Sequence, residues 1–337
     1  MTPFDVIDKG MFDACPDGAR MPVLRTAVNS NLHRDLLDQA EIAAKVLPGT
    51  AGRVRPLIEC LDVTRRVDPM VFTCHHQLAT GLRSQDVARV ATALGALSRL
   101  LEERPYSDTF SVGSVLWDAV DAELLAFLCG PEGPRTPKGE YPEVWAPHHA
   151  SLTRGTDWVD RSLPLLAELD PQLHAEFHSL VGSLRLFRGR AVRGMTSVRC
   201  FGLMLLRLPD PGPEAEEPLL YFLDHITHET SHLVLHTLMN VDPLITNGHA
   251  ERFDAPIRPD PRPLYGIYHA TFVLSRITRV LARLAKRDPR SPILASRDLQ
   301  HARFRKGAAT ITRHAHLTPL GKQVLDSCGE LVDHEMG

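Results

Sequence analysis

A chain of 337 residues with 43% hydrophobic and 23% charged side chains has an ordinary globular make-up, which excludes an intrinsically disordered chain. Its net charge of -3 leaves no electrostatic footprint for nucleic acid, and it has no apolar run of the roughly 18 residues that a membrane helix needs. The six cysteines (Cys15, Cys60, Cys74, Cys129, Cys200 and Cys328) are scattered with no C-x-x-C pair, so neither a disulfide frame nor a zinc ribbon is expected.

The first ten residues contain two Asp and no long apolar core, so they do not read as a secretory signal. A cytoplasmic protein with reduced, mostly buried cysteines is the expectation. The first half reads as mainly helical. Residues 32–46 place Leu36, Leu37, Ala40, Ala43 and Val46 at helix spacing, with Pro48-Gly49 as the expected stop. Residues 86–103 carry Val87, Val90, Leu94, Leu97 and Leu101 on one stripe, closed by Pro105, and residues 115–128 repeat the pattern up to Gly130-Pro131. The Pro/Gly-rich stretch 130–147 breaks the period and marks a boundary or an excursion loop.

Helix is expected again over 163–186, with Asp170 as cap and Pro171 as a first-turn residue. The texture then changes. Apolar residues of 192–208 sit among Thr, Ser and Gly, which suits a bent strand or hairpin around Gly202. Residues 209–218 form an acidic Pro/Gly-rich loop, and 219–239 return as a strongly apolar helix ending near Asn240. The arginines from Arg276 to Arg290 are interleaved with apolar residues and read as the basic, solvated face of a helix.

The helix 219–239 carries His228-Glu229-Thr230-Ser231-His232. At 3.6 residues per turn, positions i and i+4 lie one above the other about 6 Å apart, so both imidazoles can reach one metal ion. Glu229 stands about 100° round the helix from His228, closer to a metal-bound water than to the metal. Two histidines in a helix flanked by Tyr221-Phe222-Leu223 and Leu233-Val234-Leu235 need polar partners, and a metal satisfies both. With 17 histidines in the chain, the pattern also arises by composition alone, and the buried helix is what adds weight. His225 and His236 flank the pair by about one turn and read as supporting or simple helix-face residues.

A third ligand has four candidates within the next fifty residues: His249, Glu251, Asp254 and His269. Spacing favours His269, at the opening of the apolar stretch Leu264-Tyr265-Gly266-Ile267-Tyr268-His269, over Glu251, which follows the turn Asn247-Gly248. Between them, Ile257-Arg258-Pro259-Asp260-Pro261-Arg262-Pro263-Leu264 has proline at every second position, which keeps the chain extended. Arg258 and Arg262 are either planar forks for a carboxylate or solvated residues of a stiff linker.

These residues together resemble the H-E-x-x-H-type 2-oxoglutarate-dependent peptide β-hydroxylases, the H-E-x-x-H motif proteins of peptide-modification gene clusters. The resemblance covers about a third of the chain. It takes in Cys200-Phe201-Gly202-Leu203-Met204-Leu205-Leu206, the helix of His225 to Leu238, Arg258 to Leu264, Gly266-Ile267-Tyr268-His269-Ala270 and, more weakly, Leu317-Thr318-Pro319-Leu320-Gly321. It implies iron(II), 2-oxoglutarate as cosubstrate, dioxygen, His228, His232 and His269 as iron ligands, and Arg262 or else Arg258 on a 2-oxoglutarate carboxylate. Tyr265, Tyr268, His225 and His236 match no role in the family.

The function expected is hydroxylation of the β carbon of an amino-acid residue in a peptide, as in tailoring of ribosomal peptide natural products, or in a related small or carrier-bound substrate. A zinc(II) peptidase with Glu229 as general base, and Tyr265, Tyr268 or His225 as oxyanion donor, is the alternative. A non-catalytic peptide-binding scaffold is the third. The expected fold is α+β and predominantly α-helical, with a small sheet (about residues 192–208) near the metal-bearing helix. Residues 1–147 would form a helical region for substrate or leader recognition, and 148–337 the metal-binding catalytic region. No nucleic-acid or membrane partner is expected, and a homo-oligomer is allowed.

Overall fold

Prolines and short polar caps set many of the helix starts in this chain. In a computed structural model that describes residues 7–116, 118, 119, 121, 122, 126, 141–190, 192–210 and 217–337, the helices are, in chain order, α1 (Met21–Ala44), α2 (Pro48–Glu59), α3 (Pro69–Ser84), α4 (Val87–Glu103), α5 (His149–Leu169), α6 (Pro171–Leu180), α7 (Pro218–Met239), α8 (Leu264–Arg287), α9 (Ser291–His314) and α10 (Pro319–Met336). The strands are β1 (Ser111–Ser114), β2 (Glu143–Trp145), β3 (Ser183–Arg190), β4 (Gly194–Met195) and β5 (Leu203–Arg207). The fold is therefore α+β and predominantly α-helical with a small mixed sheet. Among the described residues no helix is long and apolar enough to cross a membrane.

Contacts divide the chain into two units. One comprises Met1–Leu24, Asp157–Ser179 and Pro209–Gly337, and the other Arg25–Thr156 and Leu180–Leu208. All five strands belong to the second unit, and all the candidate site residues to the first.

In the second unit, β1, β3 and β5 run parallel, β4 pairs antiparallel with β5 (Gly194↔Leu206), and β2 pairs antiparallel with the far end of β3 (Glu143↔Arg190). Phe187, Val192, Met195, Cys200, Leu203 and Leu205 form a core cluster with Val115. The hairpin expected over 192–208 is present. Its turn passes through Gly202, whose φ of +95° is a conformation that side chains with a Cβ rarely adopt.

Three expectations are corrected. Helix does not run through 163–186: it breaks at Asp170, restarts at Pro171 and ends at Leu180, and residues from Ser183 are strand. Leu184 and Leu186 are buried at alternate positions, a strand period that a run of leucines disguises as helix. Pro48-Gly49 is not only a stop, because Pro48 opens α2 at a position where a helix loses nothing by a missing N–H. The arginines expected as one solvated face divide: Arg276 is 0% and Arg279 9% exposed, whereas Arg287 at the end of α8 and Arg290 beyond it are exposed. Half of the helix expected over 115–128, most of the 130–147 stretch, Cys129 and most of the 209–218 tract lie outside the described residues. The cysteines at 74, 200 and 328 are buried and those at 15 and 60 exposed.

α8 is the axis of the first unit. It packs against α7, α9 and α10 and is buried along nearly its whole length. Its buried charges are compensated from α6, from Asp170 before it, and from α10. Arg276 pairs with Glu176, which also meets Arg20 at 3.4 Å. Arg279 reaches Asp170 at 2.5 Å and Glu335 at 3.1 Å, and Arg283 reaches Glu335 at 2.8 Å. Asp170 also accepts from the Leu173 N–H at 3.2 Å, so the expected helix cap doubles as a counter-ion. At the other end of α8, Tyr268 donates to the Gly321 carbonyl at 2.8 Å. A Cβ at Gly321 would collide with the Leu244 carbonyl oxygen, so only glycine lets α10 approach that turn so closely.

Removing one partner of a buried pair leaves the other charge uncompensated, which typically costs about 3–5 kcal/mol, against at most about 1 kcal/mol for an exposed pair. Glu176→Ala is expected to lower the urea-unfolding free energy by an amount in the first range. Arg287→Ala, which breaks the exposed pair with Glu168, is expected to stay within the second. Equal effects would contradict this description of α8.

Candidate metal centre

Pro218 in the first turn of α7 starts the helix, and its apolar residues drive it into the core with Glu229 buried at 4% exposure. His228, His232 and His236 are half-buried on the same helix. The Nε2 atoms of His228 and His232 lie 3.1 Å apart, with ring centroids at 4.8 Å. His269, buried in the first turns of α8, brings its Nδ1 to 3.3 Å from Nδ1 of His232. Two nitrogens bound about 2.0–2.1 Å from one tetrahedral ion stand about 3.3 Å apart, so both separations are of coordination size. They are also the length of an N–H···N hydrogen bond between neutral rings.

His232 offers Nε2 to His228 but Nδ1 to His269, and Nε2 of His269 lies 3.1 Å from the Met239 sulfur. Among the described residues no group of three or more His, Cys, Asp or Glu side chains is arranged around a single point. The pair His228–His232 fits an ion. The three rings as they stand do not share one point, since His232 meets its two neighbours through different nitrogens.

The electrostatics suit a cation ligand set. Burial pulls His228 down to about 4; the charges of His225 and Arg258 also lower it, and Asp224 opposes them. Burial likewise takes His236 to about 4 and holds His232 and His269 well below the usual histidine range, with neighbouring imidazoles adding to the effect on both. These rings are thus neutral at physiological pH, the form that binds metal. Asp224, one turn before His228, accepts from Gln300 at 3.2 Å.

The remaining residues fall into place around this core. His225 is stacked on Tyr221 (centroids 4.1 Å) with its Nδ1 2.8 Å from the Tyr221 carbonyl, and its ring is 6.5 Å from that of His228. The His236 ring lies 5.2 Å, and the Tyr265 ring 4.4 Å, from that of His269. Tyr268 is buried with its hydroxyl committed to Gly321, which removes it as an oxyanion donor. Burial raises the Tyr265 phenol, which stays protonated. The His249 ring lies 5.8 Å from that of Tyr265, tilted by 59°, while Glu251 and Asp254 are exposed.

The proline-rich segment is pinned at its ends. Phe253 and Arg262 exchange two backbone hydrogen bonds of 2.9 and 2.8 Å, which closes the intervening residues into a loop that displays Arg258. The Arg262 side chain is engaged by Asp260 at 2.7 Å. Arg258 makes no ion pair among the described residues, and its charge is felt at His228. Two residues near the centre escaped the sequence reading, Met239 and Asp224. Asp224 had a signal, since it stands four residues before His228 on the same helix.

His228→Ala and His232→Ala are each expected to weaken zinc(II) binding by at least roughly 100-fold, since losing even a supporting group costs 10–100-fold. His225→Ala is expected to change it far less. Calorimetric titration of the folded variants measures this, and unchanged binding in His232→Ala would remove α7 as the metal helix. No family model matches the chain, and a search of curated proteins finds no match.

Proposed function

We propose that this chain is an iron(II)- and 2-oxoglutarate-dependent oxygenase that hydroxylates the β carbon of an amino-acid residue, in a peptide or a related small or carrier-bound substrate. The observation that carries this reading is the approach of three neutral imidazoles from α7 and α8, with the charge of the exposed Arg258 acting at His228. Bound iron(II) would activate dioxygen, which is the oxidant: one oxygen atom would enter the C–H bond and the other would go to 2-oxoglutarate, oxidised to succinate and carbon dioxide.

His228, His232 and His269 would hold the ion. Three neutral ligands leave its double positive charge intact, so a dianionic cosubstrate binds with charge balance and a vacant position remains. Arg258 is the better candidate to grip the far carboxylate, because Asp260 already occupies Arg262. Glu229 and Asp224 flank the ligand helix as carboxylates able to orient an imidazole N–H or a bound water. Residues 1–147 are proposed to contribute substrate recognition.

A second reading is a zinc(II) peptidase. It is favoured by the placement of Glu229 one step from His228 and by the protonated Tyr265 phenol beside His269, which suit a general base and an oxyanion donor.

Under the oxygenase reading, anaerobic addition of iron(II) and 2-oxoglutarate is expected to give a visible charge-transfer band, and admission of air to yield succinate. Loss of one charge-assisted contact costs about 1.5–3 kcal/mol, so Arg258→Ala is expected to raise the apparent 2-oxoglutarate constant roughly 10–100-fold. Arg262→Ala is expected to have a smaller effect. No band and no succinate, with peptide cleavage that Glu229→Gln abolishes while zinc stays bound, would replace this reading by the peptidase.

A further inference from the structure

Helix α6 carries a second pair of histidines one turn apart, on the face opposite to Glu176. His174 and His178 place their Nε2 atoms 3.1 Å from each other, with ring centroids at 4.5 Å and ring planes at 70°. The corresponding values for His228 and His232 are 3.1 Å, 4.8 Å and 64°. The two pairs therefore present the same chelating geometry, once in a buried helix and once at the surface. The buried Phe177 ring meets His178 edge-on, at 5.1 Å and 89°, which restricts the orientation of that imidazole. His178 is exposed and His174 half-buried, and burial holds the His174 ring below the usual histidine range, so its lone pair is available near neutral pH.

We propose that His174 and His178 form a second, solvent-facing site for a divalent transition-metal ion of borderline softness, with copper(II) bound more tightly than nickel(II) or zinc(II). Imidazole nitrogens suit these ions, and two ligands with no imposed geometry leave the order of affinity to the metal itself. His178 is exposed, so water can complete the coordination sphere. The inference does not depend on the oxygenase reading, because it uses different residues on a different helix.

The site has a consequence for the fold. α6 has only ten residues, too few to be stable alone, yet its inner face supplies Glu176 to Arg276. An ion bridging positions 174 and 178 staples one turn of this helix and favours the folded state, in which the two rings already stand one turn apart, so it stabilises the unit by mass action.

The test uses the full-length His228→Ala/His232→Ala protein, in which the buried pair is absent, titrated with copper(II). Expected are one equivalent bound with a two-nitrogen paramagnetic-resonance signature, a rise in Tm with copper, and loss of both when His174→Ala is added. His174→Ala in the otherwise wild-type chain repeats the comparison without touching α7, and should lower copper uptake by one equivalent. Copper uptake and Tm shift that are the same with and without His174 would overturn the proposal, as would no uptake by the His228→Ala/His232→Ala protein.

Discussion

The contact on which the candidate centre depends is that between His232 on α7 and His269 on α8, two rings 37 residues apart in sequence that approach to 3.3 Å. Neither helix offers a complete ligand set alone. A single helix can aim two imidazoles, at i and i+4, at one ion, and further histidines along it drift away. The third must come from a helix packed against the first, and its height along that helix has to be right to a fraction of a turn. The buried ion pairs of Arg276 and Arg279 with Glu176, Asp170 and Glu335 fix that height, because sliding α8 by one residue would leave several charges without partners in the core. The charges that look costly for stability are thus the ones that set register.

Burial has a second effect. It strips the imidazoles of solvent and keeps them unprotonated, while the Arg258 charge contributes at His228 in the same direction. Met239 and Tyr265 close round His269 and leave its ring few neighbours to choose between.

Much of this was legible in the sequence, for local reasons. Spacing in His228-Glu229-Thr230-Ser231-His232 dictates a shared helix face; Pro218 and the residues around Asn240 bound that helix; and the prolines before Leu264 force a new helix to begin where His269 falls in its first turns. The small sheet was visible only in its last hairpin. β3 was hidden because Leu180, Leu184 and Leu186 fit a helical stripe as readily as strand alternation. The buried arginines were unreadable because their counter-ions lie 100 and 109 residues away, and a charge looks solvated until its partner is found. Which of Arg258 and Arg262 is occupied was hidden for the opposite reason: Asp260 stands two residues from each, so spacing cannot choose between them.

The most direct measurement of the central claim is X-ray absorption at the iron edge of the iron(II)-loaded protein, compared with its His269→Ala variant. Three imidazole shells, with nitrogens about 2.0–2.2 Å from the metal, falling to two in the variant, is the expected result. An iron environment of water and carboxylate oxygens, or an imidazole count that His269→Ala leaves unaltered, would contradict it.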